Sequence, residues 1–265
     1  MYPIGLSSCG KALNQQLFAD YAKAGISAIE ITPPWHEYKF LDYKALASYA
    51  KNTGITLWSF HLPFETTDLS SPEMGWRVCC VEYLSELIKH GSDIGIHKFI
   101  AHPSTEIPLD SPDRAERMKY AKESLNQLAD IAARYDSVIC VEDLPRGCLG
   151  NCSEEILDLI SANDKLRVCF DTNHLLNEDI PTFVRRVGSK IVSLHVSDYD
   201  FVDERHWLPG EGQIQWSALL DALKEVGYNG VWMYELGFKA KEFPRILTCE
   251  DFVQNAKKLF AGETL

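Results

Sequence analysis

Eight short apolar runs alternate with longer amphipathic stretches along the whole 265-residue chain, and few folds accept that pattern. The runs cover residues 3–8, 28–32, 56–61, 98–102, 137–142, 167–171, 191–195 and 230–235, and are rich in Ile, Val, Leu, Phe and Trp. Strands buried on both faces read this way, whereas a strand with one wet face alternates polar and apolar residues. Helical spacing occupies residues 13–24, 43–52, 73–94, 112–135, 153–161, 182–187, 216–226 and 249–260. Several of these stretches begin on a Ser, Asp or Pro signal and stop near Gly, as at Ser71-Pro72-Glu73 and Val226-Gly227. Eight strand–helix units without a Pro/Gly/Ser-rich linker predict an α/β chain folded as a single (β/α)8 barrel over residues 1–265. A doubly wound sheet is the alternative. However, no G-x-G-x-x-G follows the first run, and Gly5 and Gly10 are too sparse to cradle a pyrophosphate.

In such a barrel, reactive side chains gather where the strands end. The predicted ends carry Glu30, His61, His102, Val141-Glu142-Asp143, Phe170-Asp171-Thr172-Asn173-His174, Leu194-His195-Val196-Ser197-Asp198 and Met233-Tyr234-Glu235. Carboxylates are rarely buried without a partner, so those that follow apolar runs require a cation, a donor network or a metal. Glu142, Asp171, His195 and Glu235 close four consecutive strands, 29, 24 and 40 residues apart, and can face one point near the barrel axis. Three carboxylates with one imidazole suit one divalent ion: Mn²⁺, Co²⁺, Mg²⁺ or Zn²⁺. Any one of the four alone reads equally well as a satisfied polar residue; the set points to a metal.

The remaining polar residues are less decisive. His61 and His102 fit either the chemistry or a hydrogen-bonded rim, and Glu30 either orients a histidine or joins an ion pair. His90 precedes Gly91 at a predicted helix end, His97 lies ahead of its strand, and His36 sits in the loop Trp35-His36-Glu37-Tyr38. The segment Asp203-Glu204-Arg205-His206-Trp207-Leu208-Pro209-Gly210-Glu211-Gly212 is held to a tight path by its Pro and Gly residues. Arg205 and His206 can donate there to a polyol hydroxyl or a developing oxyanion. Trp35, Trp58, Phe64 and Trp207 are expected near the same face to stack on a sugar, although barrel filling accounts for Trp58 equally well.

Composition narrows the partners. With 26 Lys+Arg against 38 Asp+Glu, the formal net charge is −12, which speaks against nucleic acid, since nonspecific affinity comes from basic side chains on phosphates. No run approaches the roughly 18 apolar residues that cross a bilayer, so no membrane partner is expected. The first residues lack a basic region followed by a long apolar core, and a cytoplasmic protein with eight reduced cysteines is expected. Cys148 and Cys152 form a C-x3-C with no second pair, a weak zinc signal.

The order Val-Glu-Asp, Phe-Asp-Thr-Asn-His, His-Val-Ser-Asp, Arg-His-x-x-Pro-Gly-Glu-Gly and Tyr-Glu-Leu resembles the xylose isomerase-like TIM-barrel superfamily, closest to its sugar (phosphate) isomerase/epimerase group. The resemblance covers nearly the whole chain. It implies that Glu142, Asp171, His195 and Glu235 bind one divalent metal. It also implies that Glu142 and Glu235 exchange a proton with the carbon beside a sugar carbonyl, through an enediolate, in a ketose, aldose or related polyol. His174, and Arg205 or His206, then contact substrate, with His61 and His102 beside them, and a homo-oligomer is expected. Ketose 3-epimerases of the tagatose/psicose type carry a second glutamate six residues beyond the first; here that position is Cys148. The same superfamily includes endonuclease IV-type AP endonucleases with three zinc ions. For that alternative, His61, His102, His174, Glu204 and His206 join the four residues above, with Glu204 where that group has Asp. Glycine-rich and DNA-inserting loops are not apparent, and sugar chemistry is the favoured expectation. A non-catalytic sugar- or metal-binding barrel is the third class, disfavoured by the intact acidic set. Only Arg146 and Arg205 bring positive charge near the strand ends, which favours an unphosphorylated polyol.

Overall fold

The computed structural model describes residues 1–240 and 242–265. Its strands are β1 (Ile4–Ser7), β2 (Ala28–Ile31), β3 (Thr56–His61), β4 (Lys98–Ala101), β5 (Val138–Glu142), β6 (Arg167–Asp171), β7 (Ile191–His195) and β8 (Trp232–Tyr234). They lie parallel in chain order, with β8 beside β1. The ring closes between β7 and β8 at Val196, whose N–H donates to Met233 O at 2.8 Å and whose carbonyl accepts from Glu235 N at 3.2 Å. Helices α1 (Gln15–Ala24), α2 (Tyr43–Thr53), α3 (Met74–Asp93), α4 (Arg114–Ala133), α5 (Ser153–Ile160), α6 (Ile180–Val187), α7 (Trp216–Glu225) and α8 (Cys249–Ala261) alternate with the strands. This is the predicted (β/α)8 barrel.

Local chemistry sets several helix starts. Asn14, Asp42 and Asp179 accept from the backbone N–H groups of Leu17, Ala45 and Thr182 at 3.0, 2.9 and 3.0 Å. Each satisfies an N–H that a helix start leaves unpaired. Asp179 explains why α6 begins at Ile180 rather than at 182, with Pro181 in the first turn where no N–H is needed. Two short 3₁₀ turns, Tyr38–Phe40 and Gly188–Lys190, fall outside the predicted elements, being too short for a periodic signature.

Alternation along the strands, interrupted by bulges at Trp58 and Val192, separates two cores. Ile29, Phe60, Phe99, Ile139, Val141, Phe170 and Leu194 face the helices in the main apolar cluster. On the opposite faces, Ala28, Trp58, Val231 and Met233 form one cluster, and Ile100, Val138, Cys140, Cys169 and Val192 another, inside the barrel. The Trp58 indole donates to Ser193 Oγ at 3.2 Å, and Lys98 Nζ sits 3.6 Å from the Trp58 ring centroid. Trp58 therefore fills the barrel instead of lining a sugar site. All eight cysteines are free thiols, and Cys140 and Cys169 serve as small core residues. No helix among the described residues is long and apolar enough to cross a membrane.

Candidate active site

Two residues beyond the apolar filling, the inward positions turn polar. Glu30 follows Ala28, His102 follows Ile100, Glu142 follows Cys140, Asp171 follows Cys169 and Glu235 follows Met233. The strand period of two carries these side chains onto the same axis. His195 lies at the centre: its Nδ1 is 2.9 Å from Glu142 Oε1, 2.8 Å from Glu235 Oε2 and 3.8 Å from Asp171 Oδ2. Glu142, Asp171 and His195 are fully buried and the Glu235 side chain is 12% exposed.

Hydrogen bonds fix which ring nitrogen each histidine turns to the centre. His195 Nε2 donates to Glu30 Oε2 at 3.0 Å, and Glu30 is itself held by the Ser59 hydroxyl at 2.7 Å and the Thr32 hydroxyl at 3.3 Å. His61, His174 and His206 instead donate from Nδ1 to the carbonyls of Leu62, Asp143 and Glu235 at 2.9, 2.7 and 3.1 Å. Their Nε2 atoms are left facing carboxylates. Those of His61 and His102 lie 3.2 and 3.1 Å from Glu142 Oε2, and that of His206 lies 3.3 Å from Glu204 Oε1. An imidazole nitrogen opposite a carboxylate oxygen is favourable only with a proton or a cation between them. Asp171 Oδ2 is buried without a hydrogen-bond partner, and Glu142 Oε2 meets only the two imidazole Nε2 atoms, an arrangement that costs free energy unless a proton or a cation joins it. The set Glu142, Asp171, His195 and Glu235 thus fits a divalent cation in donor type, in direction and in the unpartnered Asp171 oxygen, with Glu30 as the carboxylate behind the imidazole.

The charges act on one another strongly. Burial alone would raise the Glu142 carboxyl, but the charges of His195 and His102 outweigh it and hold the group well below its usual range. Glu235 is brought to about 2 by the same His195 charge against its own burial. Burial raises Asp171 to about 6. Burial would lower His61, yet its hydrogen bond with Glu142 lifts it to about 9, and burial lowers His102.

A second donor set, His174, Glu204 and His206, stands beside the first, and a third unites His61 and His102 with Glu142. The β7–α7 segment that carries Glu204 and His206 is pinned from below. Asn173 Oδ1 accepts from Arg205 N at 3.0 Å, and buried Asp198 accepts from Tyr199 N, Ile214 N, Gly210 N and Trp216 Nε1 at 2.9, 3.1, 2.8 and 3.0 Å. Gly212 passes so close that a Cβ would lie 2.3 Å from Asp198 Oδ1. His206 has φ of 51°, a left-handed conformation uncommon outside glycine.

Of the residues singled out from sequence, Glu142, Asp171, His195, Glu235, His61, His102, His174, Glu204 and His206 come together at the barrel mouth. Arg205 does not turn there, because its guanidinium pairs with Asp200 at 2.9 Å. Phe64 stacks on His102 at 4.4 Å, whereas Trp35 is 57% exposed beside His36. His90 packs against Tyr43, and His97 contacts Ser137. Cys148 is buried, and no cysteine joins a metal-competent group among the described residues. Sequence reasoning passed over Asp143, whose Oδ1 accepts from Asp171 N at 2.8 Å; following Glu142 directly, it points to the other face of β5, and only that adjacency signals it. It also left the roles of Asn173 and Asp198 unassigned.

Comparison with known proteins gives a consistent family. A D-psicose 3-epimerase of Ruminiclostridium cellulolyticum is 28% identical over 82% of this chain and 78% of that one. An inosose isomerase of Bacillus velezensis is 31% identical over 70% and 68%. A probable endonuclease 4 of Acholeplasma laidlawii is 28% identical over 71% and 65%. Matches to the first of the curated relatives span 61% to 78% of their own length. In fold, the crystal structure of a D-tagatose 3-epimerase-like protein superposes with a TM-score of 0.85 at 23% identity, covering 98% of this chain and 97% of that one. The family model described as xylose isomerase-like TIM barrel matches residues 18–248, and the chain belongs to that family.

Proposed function

We propose that the protein is a divalent-metal-dependent sugar isomerase or epimerase that moves a proton at the carbon next to a carbonyl. The observation that carries this reading is the convergence of Glu142, Asp171 and Glu235 on His195 Nδ1, with Asp171 Oδ2 buried and unpartnered. Glu142, Asp171, His195 and Glu235 would hold the ion, whose chemistry when bound is that of a Lewis acid on the carbonyl and neighbouring hydroxyl.

The chain's own residues supply the rest. Glu142 and Glu235 reach the site from β5 and from the end of β8, which gives the reaction two carboxylates at one point. Both are held ionised, Glu235 near 2; one takes the proton from carbon as base, and the other, once it has picked up a proton from solvent, delivers that proton to carbon. Such acid–base catalysis is worth about 10²–10⁴-fold. His174 and His206, fixed through Nδ1 to backbone carbonyls, present Nε2 to substrate oxygens. Phe64 and the His102 ring it covers limit water at one wall. Arg146 and Arg205 are both committed to carboxylates, which supports an unphosphorylated ketose, aldose or cyclic polyol ketone as substrate. A screen of such carbonyl compounds with the Mn²⁺-loaded protein is expected to give an epimer or carbonyl-shifted product. No turnover of any of them, with full metal loading, would contradict the reading.

The gathering of nine donor residues in four sets, three of them overlapping, favours a second reading, an AP endonuclease with three zinc ions. Three zinc equivalents per chain and cleavage of abasic DNA would select it over sugar chemistry.

A further inference from the structure

The inner and outer donor sets differ in one neighbour. No Lys or Arg among the described residues forms an ion pair with Glu142, Asp171 or Glu235. In the outer set, Glu204 turns Oε1 to His206 and His174, at 3.3 and 3.9 Å, while its Oε2 lies 2.6 Å from Arg146 Nη2. The same guanidinium donates to Asp203 Oδ1 at 2.7 Å and Glu106 Oε2 at 3.3 Å, joining the segments after β4, β5 and β7.

Arg146 is delivered to this place by a rigid backbone. Its φ is 52°, and its carbonyl accepts from the Asn151 side-chain amide at 2.7 Å. At the next residue, Gly147, a Cβ would lie 1.9 Å from Ile107 O, so only glycine permits that approach. Arg114 donates to the carbonyls of Gly147 and Cys148 at 2.7 and 3.0 Å, and Leu149 N donates to Ser104 Oγ at 2.8 Å. The guanidinium is held in place with its fork filled by three carboxylates.

Two imidazoles and a carboxylate make a zinc-competent set, and His174, Glu204 and His206 supply one. We propose that Arg146 is an internal counterion that keeps this outer set at a much weaker divalent-metal affinity than the inner one, and so sets the metal count of the protein. The inference rests on the reading that the inner set holds a divalent cation. The guanidinium occupies Oε2 of the only carboxylate of the outer set, and a second cation there would face it across that carboxylate. Like charges at such range repel far more strongly near a protein than in water.

The test titrates Zn²⁺ into the full chain, stripped by chelator and dialysed, with calorimetry, elemental analysis and a thermal melt to verify folding. The wild type is expected to take one tight equivalent. Arg146→Gln and Arg146→Met, which keeps the apolar stem, should gain a second equivalent bound at least tenfold tighter than any second equivalent of the wild type. Adding Glu204→Gln to Arg146→Gln should remove it, and Arg146→Lys, which keeps the charge, should stay at one. Folded Gln and Met variants with a single equivalent, a gain of metal in Arg146→Lys, or two equally tight equivalents in the wild type would overturn the proposal. A wild type that binds no zinc overturns the reading beneath it instead, so the two failures are distinguishable.

Discussion

At the scale of single residues, the site works through the assignment of one nitrogen per histidine. His195 gives Nε2 to Glu30 and keeps Nδ1 for the three carboxylates, the reverse of His61, His174 and His206. Glu30→Gln leaves the packing intact but removes the carboxylate that orients and charges this ring. Divalent-metal affinity measured by calorimetry should fall by about 10–100-fold. An unchanged affinity would mean that Glu30 only fills space. Residue identity at the strand ends was legible in the sequence, because a carboxylate that ends an apolar strand is stable only beside a cation or a set of donors. Side-chain direction was not. Arg205 turns to Asp200, five residues earlier, a choice decided by the path of the loop.

Elements explain how these residues stay in place. The β7–α7 segment bears Glu204 and His206, and its base is the buried Asp198 with four accepted hydrogen bonds. Asp198→Ala strands those donors and should cost roughly 3 kcal/mol of stability in denaturant unfolding. KM for the sugar should rise with it, since the donors at the mouth lose their register; a normal KM and unchanged stability would show the anchor to be dispensable. Period and composition gave the eight strands and eight helices, while their ends moved by a few residues. β8 shortens from 230–235 to Trp232–Tyr234, because the sheet there closes through Val196, a pairing between segments far apart in sequence.

For the whole molecule, the −12 charge is unevenly placed, with part of it concentrated at the barrel mouth. A cation bound only by the folded chain stabilises it by mass action, about 2.7 kcal/mol at one hundred times Kd. Chelator should therefore lower Tm by roughly 5–10 °C, as read by calorimetry with and without EDTA. An unchanged Tm would mean that no metal contributes to the fold.

The stripped protein should also respond to pH. His61, lifted to about 9 by Glu142 against its burial, gives stability that is full below about 6.5 and is lost as pH rises toward 9. Glu235, depressed to about 2, gives stability that is present above about 4.5 and is lost as pH falls toward 2. Asp171, raised to about 6 by burial, works in the opposite sense: its cost grows between about pH 4 and 6 and is constant above that. Stability in EDTA should peak between about pH 4 and 5 and decline on both sides, and a profile flat from about pH 5 to 9 would contradict these shifts. Metal binding has to displace the proton between His195 and the carboxylates, so affinity should rise with pH.

Proton exchange at carbon is the central claim, and solvent deuterium reports on it directly. In D₂O, the metal-loaded wild type should place deuterium on the carbon beside the carbonyl of a substrate ketose, as read by NMR. Glu142→Gln and Glu235→Gln, folded by their melts, should each lower the exchange rate by at least about 10²-fold. Exchange at the wild-type rate in both variants would show that these two glutamates do not move the proton.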